Sequence, residues 1–331
     1  MAWKVGEFFK MYRFSNIVFV FDPKLGNPDA FDRAISLAKN NQAQLTVVST
    51  LENLPKGYSQ RFWKTTPAEI EKSLADNLLA QLNDLVAPIR KVIQVSVKVL
   101  KGKPFLQIIQ EVLRNKMDLV VKTAEDGGIT SRFFGSTDLE LLRNCPSPVL
   151  LLNSSKDRQF KKILAAVDFN PRENDKTENA FNRQILQMST ALALSEGSEL
   201  HIIHVWDAYG ESSLRSGLAK TPEKEVDAYV EEIRVGHEKK LKKLMTEFDG
   251  ETGNEATNYL KPKVHLVKGN AKKAIPDFVE KNQIDLVVMG TVGRTGIPGF
   301  IMGNTAETIL NQIDCSVLAL KPKGFVTPIT L

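Results

Sequence analysis

The residues best placed to do chemistry lie in one segment, Gly290-Thr291-Val292-Gly293-Arg294-Thr295-Gly296-Ile297-Pro298-Gly299-Phe300-Ile301-Met302-Gly303-Asn304-Thr305. It holds five glycines in fourteen positions, follows an aliphatic run that ends at Met289, and precedes a helical pattern. A glycine has no Cβ, so the backbone can take φ > 0 and bring its amides close to a ligand. Amides at a helix start, with the positive end of the helix dipole, attract phosphate. Asn304 or Thr305 is placed to cap that helix or to hydrogen-bond an anion. A tight strand-to-helix turn without a ligand has the same composition, and the segment alone does not separate the two. Asp168 closes a second aliphatic run, Ile163-Leu164-Ala165-Ala166-Val167-Asp168.

Groups for fast catalysis are harder to find. A nucleotide hydrolase ordinarily shows a Gly-Lys-Ser or Gly-Lys-Thr loop and a carboxylate that positions metal or water. The glycine segment has neither, and Arg294 is its one charged residue. His201 and His204 lie three apart in a strand pattern, so they face opposite ways and do not chelate one metal. His237 and His265 have no Cys or His near them in sequence, and all four histidines read as packed side chains. Cys145 and Cys315 precede aliphatic runs and read as small buried hydrophobes. Two cysteines make no disulfide framework, which suits a reducing compartment, and the cytoplasm is the expected location. The expected activity is binding, with hydrolysis absent or slow and no catalytic or metal-ligating residue.

An internal repeat sets the elements that must carry these residues. Asp118-Leu119-Val120-Val121 recurs as Asp285-Leu286-Val287-Val288, and Val99-Leu100-Lys101-Gly102 as Leu266-Val267-Lys268-Gly269, both at a shift of 285 − 118 = 167. The runs ending in Asp22 and Asp168 pair at 168 − 22 = 146, so the second copy has gained about twenty residues in its middle, normal for a surface extension. Short β-branched runs alternate with longer helical patterns, the signature of βαβ units. Strands are expected at 17–21, 45–50, 95–100, 119–122 and 149–152, and again at 163–168, 200–206, 264–267, 286–290 and 316–320. Helices are expected at 180–195, 223–248, 271–281 and 304–312 in the second copy. The fold class is therefore α/β: two tandem copies of an open five-stranded parallel sheet, at 1–153 and 160–331. Ligands bind such sheets at the carboxyl edge, after the first and fourth strands.

The spacing Gly290-x-x-Gly293, nine residues, Gly303, with Asp168 after the first strand, resembles the nucleotide-binding signature of the universal stress protein family. The resemblance covers both copies and implies that family's Rossmann-like fold. It implies an adenine nucleotide, ATP with or without magnesium, lying across the sheet edge of the second copy. Asp168 and Val205 would lie near ribose and adenine, Gly290 and Gly293 under the phosphates, and Gly303, Asn304 and Thr305 at the terminal phosphates. Val167, Met289 and Arg294 complete the expected site. The family signature has Ser or Thr where this chain has Asn304. The first copy departs further, with Lys122-Thr123 in place of Gly290 and Glu125 and Asp126 opposite Gly293 and Arg294. Carboxylates there repel a polyphosphate, so the first site is expected to hold no nucleotide and this copy to serve as a structural partner. A lone anion at the helix start Gly135-Ser136-Thr137 remains open. Family members pair through their fifth strands, so the tandem copies imply an intramolecular pseudo-dimer, with a homodimer of the whole chain also open.

Composition bounds the rest. A chain of 331 residues has length for about two domains at roughly 150 residues each. Apolar residues at 42% and charged residues at 25% are ordinary for a globular chain and argue against disorder. Forty-four Lys and Arg against 39 Asp and Glu leave +5, too modest and dispersed for a nucleic-acid binder. The run 239–243 carries Leu241, Leu244 and Met245 at helical spacing and reads as a solvated helix face. No apolar run approaches the ~18 residues needed to span a bilayer, and the leading segment with Trp3, Phe8 and Phe9 gives no stable membrane anchor. The expected partners are a small-molecule nucleotide and an unidentified protein that reads the bound state in a stress response. The alternatives are a slow nucleotide hydrolase, or a binder of an amphipathic or lipid-like ligand under lids formed by 52–66 and 207–222.

Overall fold

The computed structural model describes residues 13–26, 28–54, 66–125, 134–153, 159–173, 176–216, 221–252, 255–292 and 302–331. The first copy runs β1 (Asn16–Val20), α1 (Pro28–Asn41), β2 (Gln44–Leu51), α2 (Pro67–Val86), β3 (Val95–Lys101), α3 (Pro104–Asn115), β4 (Leu119–Thr123), α4 (Ser136–Asn144) and β5 (Val149–Leu152). The second runs β6 (Lys162–Ala166), α5 (Lys176–Glu196), β7 (Glu199–Trp206), α6 (Glu211–Arg215), α7 (Glu223–Thr252), α8 (Glu255–Leu260), β8 (Lys263–Lys268), α9 (Ala271–Asn282), β9 (Leu286–Gly290), α10 (Asn304–Leu310) and β10 (Ser316–Leu320). The added length of the second copy lies in its middle, where α7 has 30 residues against 20 in α2 and two short helices flank it.

Local chemistry explains several element ends. Thr66 and Glu69 form a capping box before α2, with Pro67 at its first position. Asn270 accepts the Lys272 amide at 2.9 Å to start α9, and Gln283 ends it in the left-handed conformation. The repeated Asp-Leu-Val-Val motif has a structural role in both copies. Asp118, just before β4, accepts the amides of Ser15 and Asn16 at 2.6 and 3.0 Å. Asp285, just before β9, accepts those of Lys161 and Lys162, both at 2.8 Å. Each aspartate thus pins the amino end of its copy's first strand and helps set the register beside it.

Two compact units result. One holds Arg13–Arg158, Thr291–Gly303 and Asp314–Leu331; the other holds Gln159–Gly290 and Asn304–Ile313. In the first-copy unit β3, β2, β1, β4 and β5 are parallel neighbours in that order. In the second-copy unit β9, β6, β7 and β8 are parallel neighbours in that order. β10 is grouped with the first-copy unit and runs antiparallel to β5, with Leu318 opposite Leu150, the fifth-strand pairing expected of the tandem copies. The fifth strands of the two repeats therefore pair with each other, which covers the edge β5 would otherwise leave open.

The aliphatic strands are buried on both faces, as parallel sheets under helices require. Ile17, Val18, Val47, Val48, Val120 and Val121 form the centre of one core, and Ile163, Leu164, Ile202, Ile203, Val287 and Val288 that of the other. Each such side chain contributes about 1.5–3 kcal/mol on burial. On α7, Leu241, Leu244 and Phe248 face inward while Lys239, Lys242 and Lys243 are exposed; the expected solvated lysine face is corrected at Lys240, which turns inward to pair with Glu178 at 2.9 Å.

Candidate functional site

In the second-copy unit the register opposes Ala166 to both Ile203 and Met289, and the Val167 amide donates to the Ile203 carbonyl at 3.0 Å. The carboxyl ends of β6, β7 and β9 thus bring Val167, Asp168, Val205, Met289 and Gly290 to one edge. Asp168 is exposed between the buried Val167 and Phe169, Val205 is half-buried, and Met289 is buried. The Asp168 main chain is held from α5: its amide donates to Asn182 Oδ1 at 3.0 Å, and its carbonyl accepts from Asn182 Nδ2 at 2.8 Å. Gly290 has a packing reason for its missing Cβ. A Cβ there would lie 2.4 Å from Cε1 of Phe181, so the aromatic ring occupies that space.

The four histidines, read from sequence as separate packed side chains, stand in two pairs, one on each face of β7. His204 Nδ1–H donates to the Val167 carbonyl at 3.2 Å, which leaves Nε2 to accept from His237 Nδ1–H at 2.8 Å. Phe169 stacks on His204 with centroids 3.8 Å apart, and Trp206 lies 5.9 Å from His237. Burial pulls the His204 imidazole down to about 4, with the His237 and Lys240 charges acting the same way. His237 is lowered by burial and then by Lys240. On the other face His201 Nε2–H donates to Glu199, and His201 Nδ1 accepts from His265 Nε2–H at 3.0 Å. His201 and His204 lie on opposite faces, as their spacing predicts, and His237 and His265, which have no Cys or His near them in sequence, meet partners 33 and 64 residues away. Among the described residues no group of three His, Cys, Asp or Glu could hold a metal ion.

Of the expected phosphate-side residues, Gly293 and Arg294 lie outside the described residues. The ends of that loop meet: Val292 and Met302 form an antiparallel bridge, and the Gly303 amide donates to the Thr291 carbonyl at 2.9 Å, all within the first-copy unit. Asn304 and Thr305, in the second-copy unit, are the exposed first residues of α10, and the Asn304 carbonyl accepts from Thr308 Oγ1 at 2.8 Å.

The matching position of the first copy is filled by its own side chains. Lys122 Nζ, buried, lies 2.9 Å from Asp138 Oδ1 and 3.1 Å from Glu125 Oε1. Asp138 Oδ2 accepts the amides of Glu125 at 2.6 Å and Gly135 at 3.4 Å. Three donors beside the start of α4, the Glu125 and Gly135 amides and the Lys122 ammonium, are thus directed at a carboxylate of the chain. Burial pushes the Asp138 carboxyl up to about 6 against the opposite pull of Lys122. A Cβ on Gly135 would lie 2.6 Å from Cβ of Glu125, so the glutamate covers this turn; Asp126 lies outside the described residues.

The segment after β7 is tied down. Glu211 of α6 pairs with Arg215 at 2.9 Å and Lys268 at 2.7 Å, Arg215 pairs with Asp227 at 2.7 Å, and Tyr229 Oη donates to the Tyr209 carbonyl at 3.0 Å. Both cysteines are buried, and burial pushes the Cys145 thiol up to about 12, which removes it as a nucleophile. No helix among the described residues is long and apolar enough to cross a membrane.

Comparison with known proteins gives a consistent result. The model of the universal stress protein family matches residues 13–153 and 159–321. Universal stress protein E of Salmonella typhi is 28% identical over 329 residues, covering 97% of this chain and 98% of its own length. A universal stress protein E homolog of Haemophilus influenzae is 31% identical over 216 residues, 65% of each chain. Among solved structures, a functionally unknown protein from Pseudomonas aeruginosa PAO1 matches with a TM-score of 0.66 at 24% identity over 94% of both chains. A universal stress protein from Archaeoglobus fulgidus matches with a TM-score of 0.60 at 16% identity, covering 94% of this chain and 99% of its own.

Proposed function

Because the chain belongs to the universal stress protein family, as two tandem domains, we propose that it binds an adenine nucleotide, ATP first among them, through its second copy and acts as a stress-response sensor rather than a fast enzyme. The observation that carries this reading is the edge formed by β6, β7 and β9, where Asp168 stands exposed on a clamped main chain between buried neighbours. A carboxylate at the carboxyl edge of a parallel sheet suits the hydroxyls of a ribose, which doubly wound folds hold with an acidic residue of that edge. Val167, Asp168, Val205 and Met289 are assigned to the nucleoside. Gly290, Gly293, Arg294, Gly303, Asn304 and Thr305 are assigned to the phosphates on sequence spacing. At Gly290 the glycine is already accounted for by Phe181, so the nucleoside end is the better supported half. The first copy is assigned no nucleotide, since Asp138 takes the Glu125 and Gly135 amides and the Lys122 ammonium and sets a carboxylate at that turn.

Calorimetric titration of the full chain with ATP, ADP and AMP tests the reading. One site per chain is expected, lost on Asp168→Ala and unaffected by Glu125→Gln. Two sites, or binding that survives Asp168→Ala, would overturn the assignment. Phosphate release over hours by the same samples separates a sensor from a slow hydrolase.

A further inference from the structure

The loop that carries Asp168 is fastened by side chains from three elements of its own unit. From α5, Asn182 closes both main-chain polar groups of Asp168, and Glu178 Oε2 accepts the Asn170 amide at 3.3 Å. From β7, His204 donates to the Val167 carbonyl while its ring stacks on Phe169. From α7, His237 donates to His204, and Lys240 donates to the carbonyls of Asn170 and Glu173 at 2.6 and 2.8 Å and pairs with Glu178. Among the described residues, the equivalent loop of the first copy forms a local turn, in which Leu25, Gly26 and Lys24 donate back to Asp22. Ser49, which stands where β7 has His204, is buried with its hydroxyl unpaired. Both copies build the same strands, yet with Ser49 in the place of His204 the first copy has no imidazole to make this fastening.

We propose that Asn182 and His204 are positioning residues that pre-set Asp168 to receive the sugar hydroxyls of the nucleotide. This rests on the reading of that edge as a nucleotide site. The clamp leaves Asp168 no main-chain polar group to move, so its position is set by Asn182, itself buried on α5. Among the described residues His204 is the donor to the Val167 carbonyl, and His237 fixes the tautomer in which His204 donates. Binding then avoids the cost of ordering the loop, the usual gain of preorganisation.

The test compares full-length wild type with Asn182→Ala, Asn182→Asp, His204→Leu and His204→Asn. Affinities for ATP and for dATP, which lacks the 2′-hydroxyl, are read by calorimetry, and amide hydrogen exchange across 165–172 is read without ligand. Wild type is expected to prefer ATP by about tenfold, as one charge-assisted hydrogen bond provides. Asn182→Ala and His204→Leu should bring the ATP to dATP ratio towards one and speed exchange at 167–169. Asn182→Asp keeps the acceptor, and His204→Asn keeps a donor near the former Nδ1, so both should restore part of the ratio. Equal affinity of wild type for ATP and dATP, an unchanged ratio in the alanine and leucine variants, or equal loss for both nucleotides would overturn the inference while leaving the site assigned. Failure of wild type to take up either nucleotide would overturn the functional reading and the inference together. Should Asn182→Ala not fold, the partial variants carry the same comparison.

Discussion

At the residue scale, His204 gives the clearest linkage between burial and pH. Its folded value near 4 lies below its ordinary value, so the unfolded chain takes up a proton as pH falls through about 6.5 and the folded chain does not. Stability from this group is full above that range and is lost progressively from pH 6.5 down to 4. A depression of this size is worth about 3 kcal/mol at the acid end. Denaturant unfolding at a series of pH values should show this slope in wild type and a flatter curve in His204→Asn. Asp138 acts with the opposite sign: its folded value near 6 stands above the ordinary carboxyl range, so its contribution falls as pH rises from about 4 to 6. The comparison must therefore be between variant and wild type rather than read from wild type alone. Gly290 supplies a steric test. An alanine there puts its Cβ 2.4 Å from the Phe181 ring, and displacing that ring should cost about 1–3 kcal/mol. Phe181→Leu should recover most of the loss in a double-mutant cycle. Strictly additive costs would show that the glycine answers to something other than the ring.

At the scale of elements, β10 delivers Lys321 to the carboxyl end of α4. Its ammonium donates to the Leu142 carbonyl and to Thr291 Oγ1, both at 2.6 Å, and lies 4.9 Å over the Phe325 ring. A cation at a helix carboxyl end is favourable, yet burial pulls this lysine down to about 8. The folded chain releases the proton near pH 8 and the unfolded chain near 10.4, so wild-type stability should rise between those values. Lys321→Met should lack that rise and should be as stable as wild type or more so at pH 7.5, by up to about 3 kcal/mol. Unfolding curves at pH 7.5 and 10 decide it; a large loss for the methionine variant at pH 7.5 would mean that the ammonium's hydrogen bonds outweigh its desolvation. Strands such as β5, β9 and β10 were legible in sequence because each is an unbroken aliphatic run beside turn residues. The end of α7 was not, because Asp249-Gly250-Glu251-Thr252 carries no apolar period. Asp168 and the glycine segment stood out by type and spacing. The histidine pairs and the Asn182 clamp did not, because their partners lie 14 to 64 residues away and are brought together by strand register for His201 and His265 and by helix packing for Asn182 and His237.

At the scale of the whole molecule, duplication let the two copies spend one edge geometry differently. In the second copy the loop after the first strand is fastened and exposes Asp168, while in the first copy the turn after β4 is filled by Lys122, Glu125 and Asp138. The fifth strands have diverged less, since both are apolar and fully buried: Val149 to Leu152 in one and Ser316 to Leu320 in the other. Their antiparallel pairing gives a further expectation. A chain ending at Ile313 loses β10 and leaves β5 with a row of unpaired amides and carbonyls beside apolar side chains. Such an edge pairs with another copy of itself. The truncated chain should grow in mass with concentration more steeply than the full chain by sedimentation velocity. Equal behaviour of the two would mean that covering β5 is not what keeps this edge from associating.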